Sequence, residues 1–216
     1  MFWFKNWPFF KFRRKLTNWI DKKRYPDRVK MPETIKFSRT IWGTIRDIKK
    51  NTGIDGAERG VTVLDIDGLL IITPAILGES ERVLLRHQFK VEYQYEPSTQ
   101  RCYRQIYRDN RLIIKDYFLA KRPPRSINLR ILFNMHTHPH GETANFFSGV
   151  DIESFLSVPR VPAMILVASD IWLLLKSAKT QTQSSFSPST NSLKQCQEYG
   201  LVIYKGKIGE RLKKVG

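Results

Sequence analysis

The chain has 216 residues, of which 41% are hydrophobic, and a formal net charge of +17. This length suits one domain of ordinary size, and the apolar fraction is enough to bury a core, which excludes a wholly disordered chain. So large a positive charge favours acidic partners such as nucleic acid, anionic lipid headgroups or acidic proteins. It is uneven, since residues 1–31 carry ten Lys/Arg against two Asp, a net +8.

In chain order, "MFWFKNWPFFKFRRKLTNWIDKKRYPDR" opens with a dense run of aromatics. Pro8 suits the first turn of a helix. From there Phe9, Phe12, Leu16, Trp19 and Ile20 share one helical face, while Arg13, Arg14, Lys22 and Lys23 fall mostly elsewhere. Three roles stay open for this N-terminal helix: packing its aromatic stripe on the domain, lying in an anionic membrane interface through residues 1–25, or serving as a nucleic-acid arm. "RYPDRVKMP" reads as a linker, so residues 1–31 are expected to form a basic aromatic arm and residues 32–210 the main domain.

"TIKF" reads as a short strand, after which Ser38 caps a helix carrying Ile41, Ile45 and Ile48, with Gly53 expected to end it. "ERGVTVLDIDGLLIITPAIL" reads as two strands turning at Asp67-Gly68. "HQFKVEYQYE", "RCYRQIYR" and "RLIIKDYF" form an expected antiparallel meander with turns at Pro97-Ser98 and Asp109-Asn110. "LRILFNM" is a buried strand, a helix follows Ser148, and "AMILVAS", "IWLLLKS" and "YGLVIYKG" are further strands before a basic tail. Residues 177–191 are polar and low in complexity, and read as a mobile loop. The expected fold class is α/β, with a mixed, mostly antiparallel sheet flanked by helices.

The chemistry concentrates in "FNMHTHPHGETANFFSGVDIESF", residues 133–155. On a strand His136 and His138 point to the same side, because side chains alternate with period two, and Thr137 faces away. Asp151, in the first turn of the next helix, can add an anionic ligand. Two His and one carboxylate on Zn²⁺ leave a fourth position for water, the composition of an open catalytic site. Ser148 and Asp151 also spell S-x-x-D, a helix N-cap with an acidic N3 residue that needs no metal. The two roles are compatible.

"HTHP" followed by "SGVD" resembles the motif of the JAMM, or MPN+, zinc metalloproteases, in their bacterial JAB-like form. The resemblance spans roughly residues 34–175. It implies an MPN/JAB-like fold, one Zn²⁺ held by His136, His138 and Asp151, Glu58 as general base, and Ser148 as a hydrogen-bond donor to the oxyanion. The implied reaction is hydrolysis of a peptide or isopeptide bond in a protein substrate, such as a ubiquitin-like or other small protein. Here the residues after Glu58 read R-G-V-T-V-L, so the second Gly usual in the family is missing, and nine residues rather than seven separate His138 from Ser148. His140 and Glu142 then fall in a substrate loop, and His87 lies outside the chemistry. A catalytically silent MPN-like scaffold and a nucleic-acid-associated protein remain as alternatives.

Cys102 and Cys196 lack metal or redox spacing and are read as reduced. No apolar window approaches a membrane span, and the N-terminus reads as a poor signal peptide. The expected location is cytoplasmic, or peripheral at a membrane.

Overall fold

The computed structural model describes residues 7–78, 88–118, 124, 126–139, 145–181 and 192–215. Helix α1 (Trp7–Asp21) leads through a 3-10 turn to strand β1 (Thr34–Ile35) and helix α2 (Arg39–Asp55). Strands β2 (Arg59–Ile66), β3 (Leu69–Ile72) and β4 (Ile76–Leu77) follow, then β5 (Phe89–Glu96), β6 (Arg101–Arg108) and β7 (Arg111–Phe118). The C-terminal half is β8 (Leu129–Thr137), α3 (Gly149–Leu156), β9 (Ala163–Val167), β10 (Ile171–Lys176), α4 (Leu193–Glu198), β11 (Leu201–Gly206) and β12 (Leu212–Val215).

Nine strands form one sheet in the order β1-β12-β11-β10-β9-β8-β2-β3, with β4 also on β2. Among the described strands only β8 and β9 run parallel, joined by α3, so the sheet is mixed but mostly antiparallel. The meander β5-β6-β7 is a separate three-stranded sheet. The tight turns fall where the sequence places them: Asp67 and Gly68, and Asp109 and Asn110, all have positive φ, as hairpins with two-residue loops require.

Alternation divides the core between the two faces of the large sheet. Val61, Val63, Phe133, Met135, Ile165 and Leu173 face α1 and α2. On the other face Met164, Leu166, Trp172 and Ile203 pack with Ile152, Phe155 and Leu156 of α3 and Cys196 of α4. Leu64 and Ile66, at the far end of β2, meet Val91 and Ile106 of the small sheet. Both cysteines are free and buried, and among the described residues no helix is long and apolar enough to cross a membrane.

Several expectations need correction. Of the three roles left open for the N-terminal helix, its apolar stripe takes the first, packing on the domain: Phe9, Phe12, Leu16 and Trp19 are buried in the same cluster as Phe133 and Met135. Arg13, beside that stripe, donates to Asp65 Oδ2 from Nε at 2.8 Å and from Nη2 at 2.5 Å. Helix α2 passes through Gly53 and stops at Gly56, whose φ of 72° supplies the left-handed C-cap. The basic tail forms β12, paired with β11 and β1, so the sheet runs past residue 210. A short helix, α4, follows the polar segment, with Ser192 Oγ accepting from Gln195 N–H.

Candidate metal centre

The cluster lies where β8 and β9 end, next to the start of α3. Crevices outside the carboxyl ends of parallel strands are common ligand sites. His136 belongs to β8 and faces α3, opposite Leu166 in the parallel ladder. His138 stands just past the strand end, and the two rings are 5.1 Å apart between centroids. Thr137, between them, faces the other way. Its hydroxyl oxygen accepts from Arg59 N–H at 2.9 Å and shares a 2.6 Å hydrogen bond with Thr52 Oγ1 at the last turn of α2. The threonine thus pins the strand end that carries the histidines to both α2 and β2.

Helix α3 presents the carboxylate. Ser148 is its N-cap and Asp151 its N3 residue, joined in a reciprocal capping box. Asp151 Oδ2 accepts from Ser148 N–H at 2.8 Å and from Ser148 Oγ–H at 2.7 Å, while Ser148 Oγ accepts from Asp151 N–H. The aspartate therefore has its rotamer fixed by backbone and hydroxyl together. Its Oδ1 lies 3.3 Å from His136 Nε2 and its Oδ2 3.3 Å from His138 Nε2. Burial pushes the Asp151 pKa up, but the neighbouring imidazoles of His136 and His138 outweigh that and hold it well below the ordinary carboxylate value.

Glu58 arrives from a distant part of the sequence through strand register. Gly60 of β2 pairs with His136 and Val61 with Met135, so continuing the antiparallel ladder sets Glu58 opposite His138. Glu58, Arg59 and Gly60 at the entry to β2 meet His138, Thr137 and His136 at the end of β8 in reverse order, with Gly60 leaving no side chain opposite His136. Glu58 is 5% exposed, and its Oε1 stands 3.8 Å from His138 Nε2. The stop of α2 at Gly56 delivers it to the start of β2.

The ligand atoms of His136, His138 and Asp151 all lie within 4.8 Å of one another, so the three residues could hold a metal ion. The state of His136 supports that fit. The ring is 1% exposed, and neither nitrogen has a hydrogen-bond partner among the described residues. Nε2 is close enough to Asp151 for an ion pair when the ring is protonated, yet off-line for a hydrogen bond. An unsatisfied buried polar atom costs about 1–3 kcal/mol, and a cation between Nε2 and Oδ1 would relieve it.

Phe147 packs 6.0 Å from His136, and Phe146 sits edge-on to Trp172 at 5.0 Å. These rings wall the site on the β10 side, a contact that sequence reading did not assign and that only the sheet order β8-β9-β10 reveals. His140, Glu142 and His87 lie outside the described residues. No protein-family model, no curated protein and no solved structure matches the chain.

Proposed function

We propose that the chain is a zinc-dependent metallopeptidase of the JAMM type, hydrolysing a peptide or isopeptide bond in a protein or peptide, with ubiquitin-like or other small proteins as its substrate class. The observation that carries this reading is the buried Glu58 carboxylate set 3.8 Å from a His-His-Asp cluster. Two imidazoles and one carboxylate suit Zn²⁺ with an open position. Bound there, zinc would supply a Lewis acid and a water of lowered pKa.

The chain's own groups divide the remaining work. Glu58 takes a proton from a water at the cluster and passes it to the leaving amine, a positioned acid/base role worth about 10² to 10⁴ in rate. Asp151, fixed by its capping box, orients the donor set and balances its charge. Ser148 in this conformation gives its hydroxyl proton to Asp151 Oδ2. To donate to an oxyanion as the resemblance implies, it must release that bond, so its first role is to hold the ligand. The two free thiols accord with a reducing, cytoplasmic setting.

The test is cleavage of a peptide and isopeptide-linked substrate panel by the zinc-loaded wild type beside Glu58→Gln. The reading expects Glu58→Gln to keep its metal and lose at least about a hundredfold in kcat. Equal turnover by both proteins would remove Glu58 from the mechanism. A zinc-loaded wild type with no turnover on any substrate would favour the silent scaffold.

A further inference from the structure

At the opposite end of β8 from the histidines, about 20 Å away by strand rise, the fold forms an open cleft of about 640 Å³ between the end of α1, residues 127–130 and residues 159–160. That volume lies in the ordinary range for ligand sites. It is lined by apolar Ile20, Ile127, Leu129 and Pro159 and by cationic Lys23, Arg130 and Arg160. Arg130 is committed, giving Nε and Nη2 to the two carboxylate oxygens of Asp21 at 2.6 and 3.0 Å. Lys23 and Arg160 are solvent-exposed. Neither has an acidic partner among the described residues.

The same Asp21–Arg130 pair walls a second cavity of about 270 Å³, to which Arg13 and Arg14 contribute. Arg13 is taken up by Asp65, leaving Arg14 exposed and open to a ligand. Along the outer face of α1 the same sign continues in Lys11, Lys15 and Lys22. Two apolar side chains of the cavity linings stay exposed, Phe10 in the smaller at 51% and Ile127 in the larger at 40%. The apolar stripe of α1 is spent on the core, so among the described residues of this helix it is the cationic face that is left to meet a membrane.

A lining that mixes apolar and cationic side chains, with exposed Phe10 and Ile127 at the two cavities, suits an amphiphilic anion better than nucleic acid. The one aromatic lining the larger cavity is Tyr25, whose hydroxyl donates to Pro159 O at 2.9 Å. We propose that this cleft binds the phosphate headgroup of an anionic phospholipid and seats the basic face of α1 on a membrane surface. The site is separate from the metal centre and does not depend on the peptidase reading.

The experiment is flotation of the full chain with phosphatidylcholine vesicles, with and without phosphatidylglycerol, beside a Lys23→Glu/Arg160→Glu variant and a Lys207→Glu control remote from the cleft. The expected result is binding only to the anionic vesicles, released as salt is raised. Binding should fall more than about tenfold in the double variant, because each basic residue near such a surface contributes strongly to adsorption. Lys207→Glu should retain most of it, and unchanged circular dichroism should show that all three proteins are folded. Equal binding to neutral vesicles, or undiminished binding by the double variant, would overturn the site. So would phosphate-dependent thermal protection through Lys23 and Arg160 without flotation, which would point to a soluble phosphate ligand, or retention of an oligonucleotide in place of vesicles.

Discussion

Asp151 serves two purposes through two oxygens. Oδ2 closes the capping box and Oδ1 is left for the space beside His136. Ser148→Ala should therefore do more than remove a cap. The metal-free protein should lose about 1 kcal/mol in thermal or denaturant unfolding. Metal affinity should drop about 10- to 100-fold in a zinc titration, because a bond orienting the ligand is gone. The His-x-His pair and S-x-x-D were legible in the sequence because strand alternation and helix capping are local rules. Glu58 was far less legible. Its place beside His138 depends on the register of β2 on β8, a pairing across almost eighty residues that no local pattern encodes. What the sequence did carry, once the pairing is known, is Gly60 opposite His136. The commitment of Ser148 to Asp151 was half visible, as a cap, but the direction of its proton was not.

At the scale of elements, α1 and α3 matter most. Leu16 of α1 is fully buried among residues that support β8. Leu16→Ala should cost about 2–5 kcal/mol in unfolding free energy, whereas an arm resting loosely on the domain would lose almost nothing. The clasp of Arg13 on Asp65, extended through Arg130 to Asp21, locks the same helix to the sheet. Helix α3 is held at both ends. Beyond its C-terminus Lys176 Nζ donates to Val158 O at 2.5 Å and lies 4.4 Å from the centre of the Phe155 ring. Burial pulls the Lys176 pKa down to about 7. Between that value and the ordinary lysine value of about 10.4 the unfolded chain binds the extra proton, so this residue makes stability rise with pH across that window, by a few kcal/mol at about 1.4 per unit. Denaturant melts of wild type and Lys176→Met from pH 7 to 10 should show that slope shrinking in the variant. An unchanged slope would mean that Lys176 titrates normally. Two boundaries differ from the local pattern for separate reasons. Strand β12, "LKKV", is half basic and becomes a strand only by pairing with β11 and β1. Helix α2 outlasts Gly53 because one exposed helical Gly costs only about 1 kcal/mol, while Ile48 and Thr52 hold that turn in place.

For the whole molecule, the central fact is topological. Among the described strands the one parallel step, from β8 to β9 through α3, brings Asp151 to the histidines at the carboxyl end of β8, while the segment leading into the antiparallel neighbour β2 supplies Glu58 from the other side. The alternating strands made a mixed sheet with flanking helices legible. The division into a large sheet and a separate small one was not, because strand order is set by long-range contacts that alternation does not specify. Since the cluster joins three elements, a metal bound there would stabilise the fold. A ligand present at a hundred times its Kd adds about 2.7 kcal/mol, so chelation should lower the melting temperature by several degrees, and zinc alone should restore it.

The most direct test is metal analysis of the purified protein, prepared without chelators, beside His138→Ala and Glu58→Gln. The account predicts about one zinc per chain in wild type, as a His-His-carboxylate site holds, little in His138→Ala, and the wild-type amount in Glu58→Gln. A folded wild-type protein that binds no metal, or a His138→Ala variant that keeps its full zinc, would contradict it.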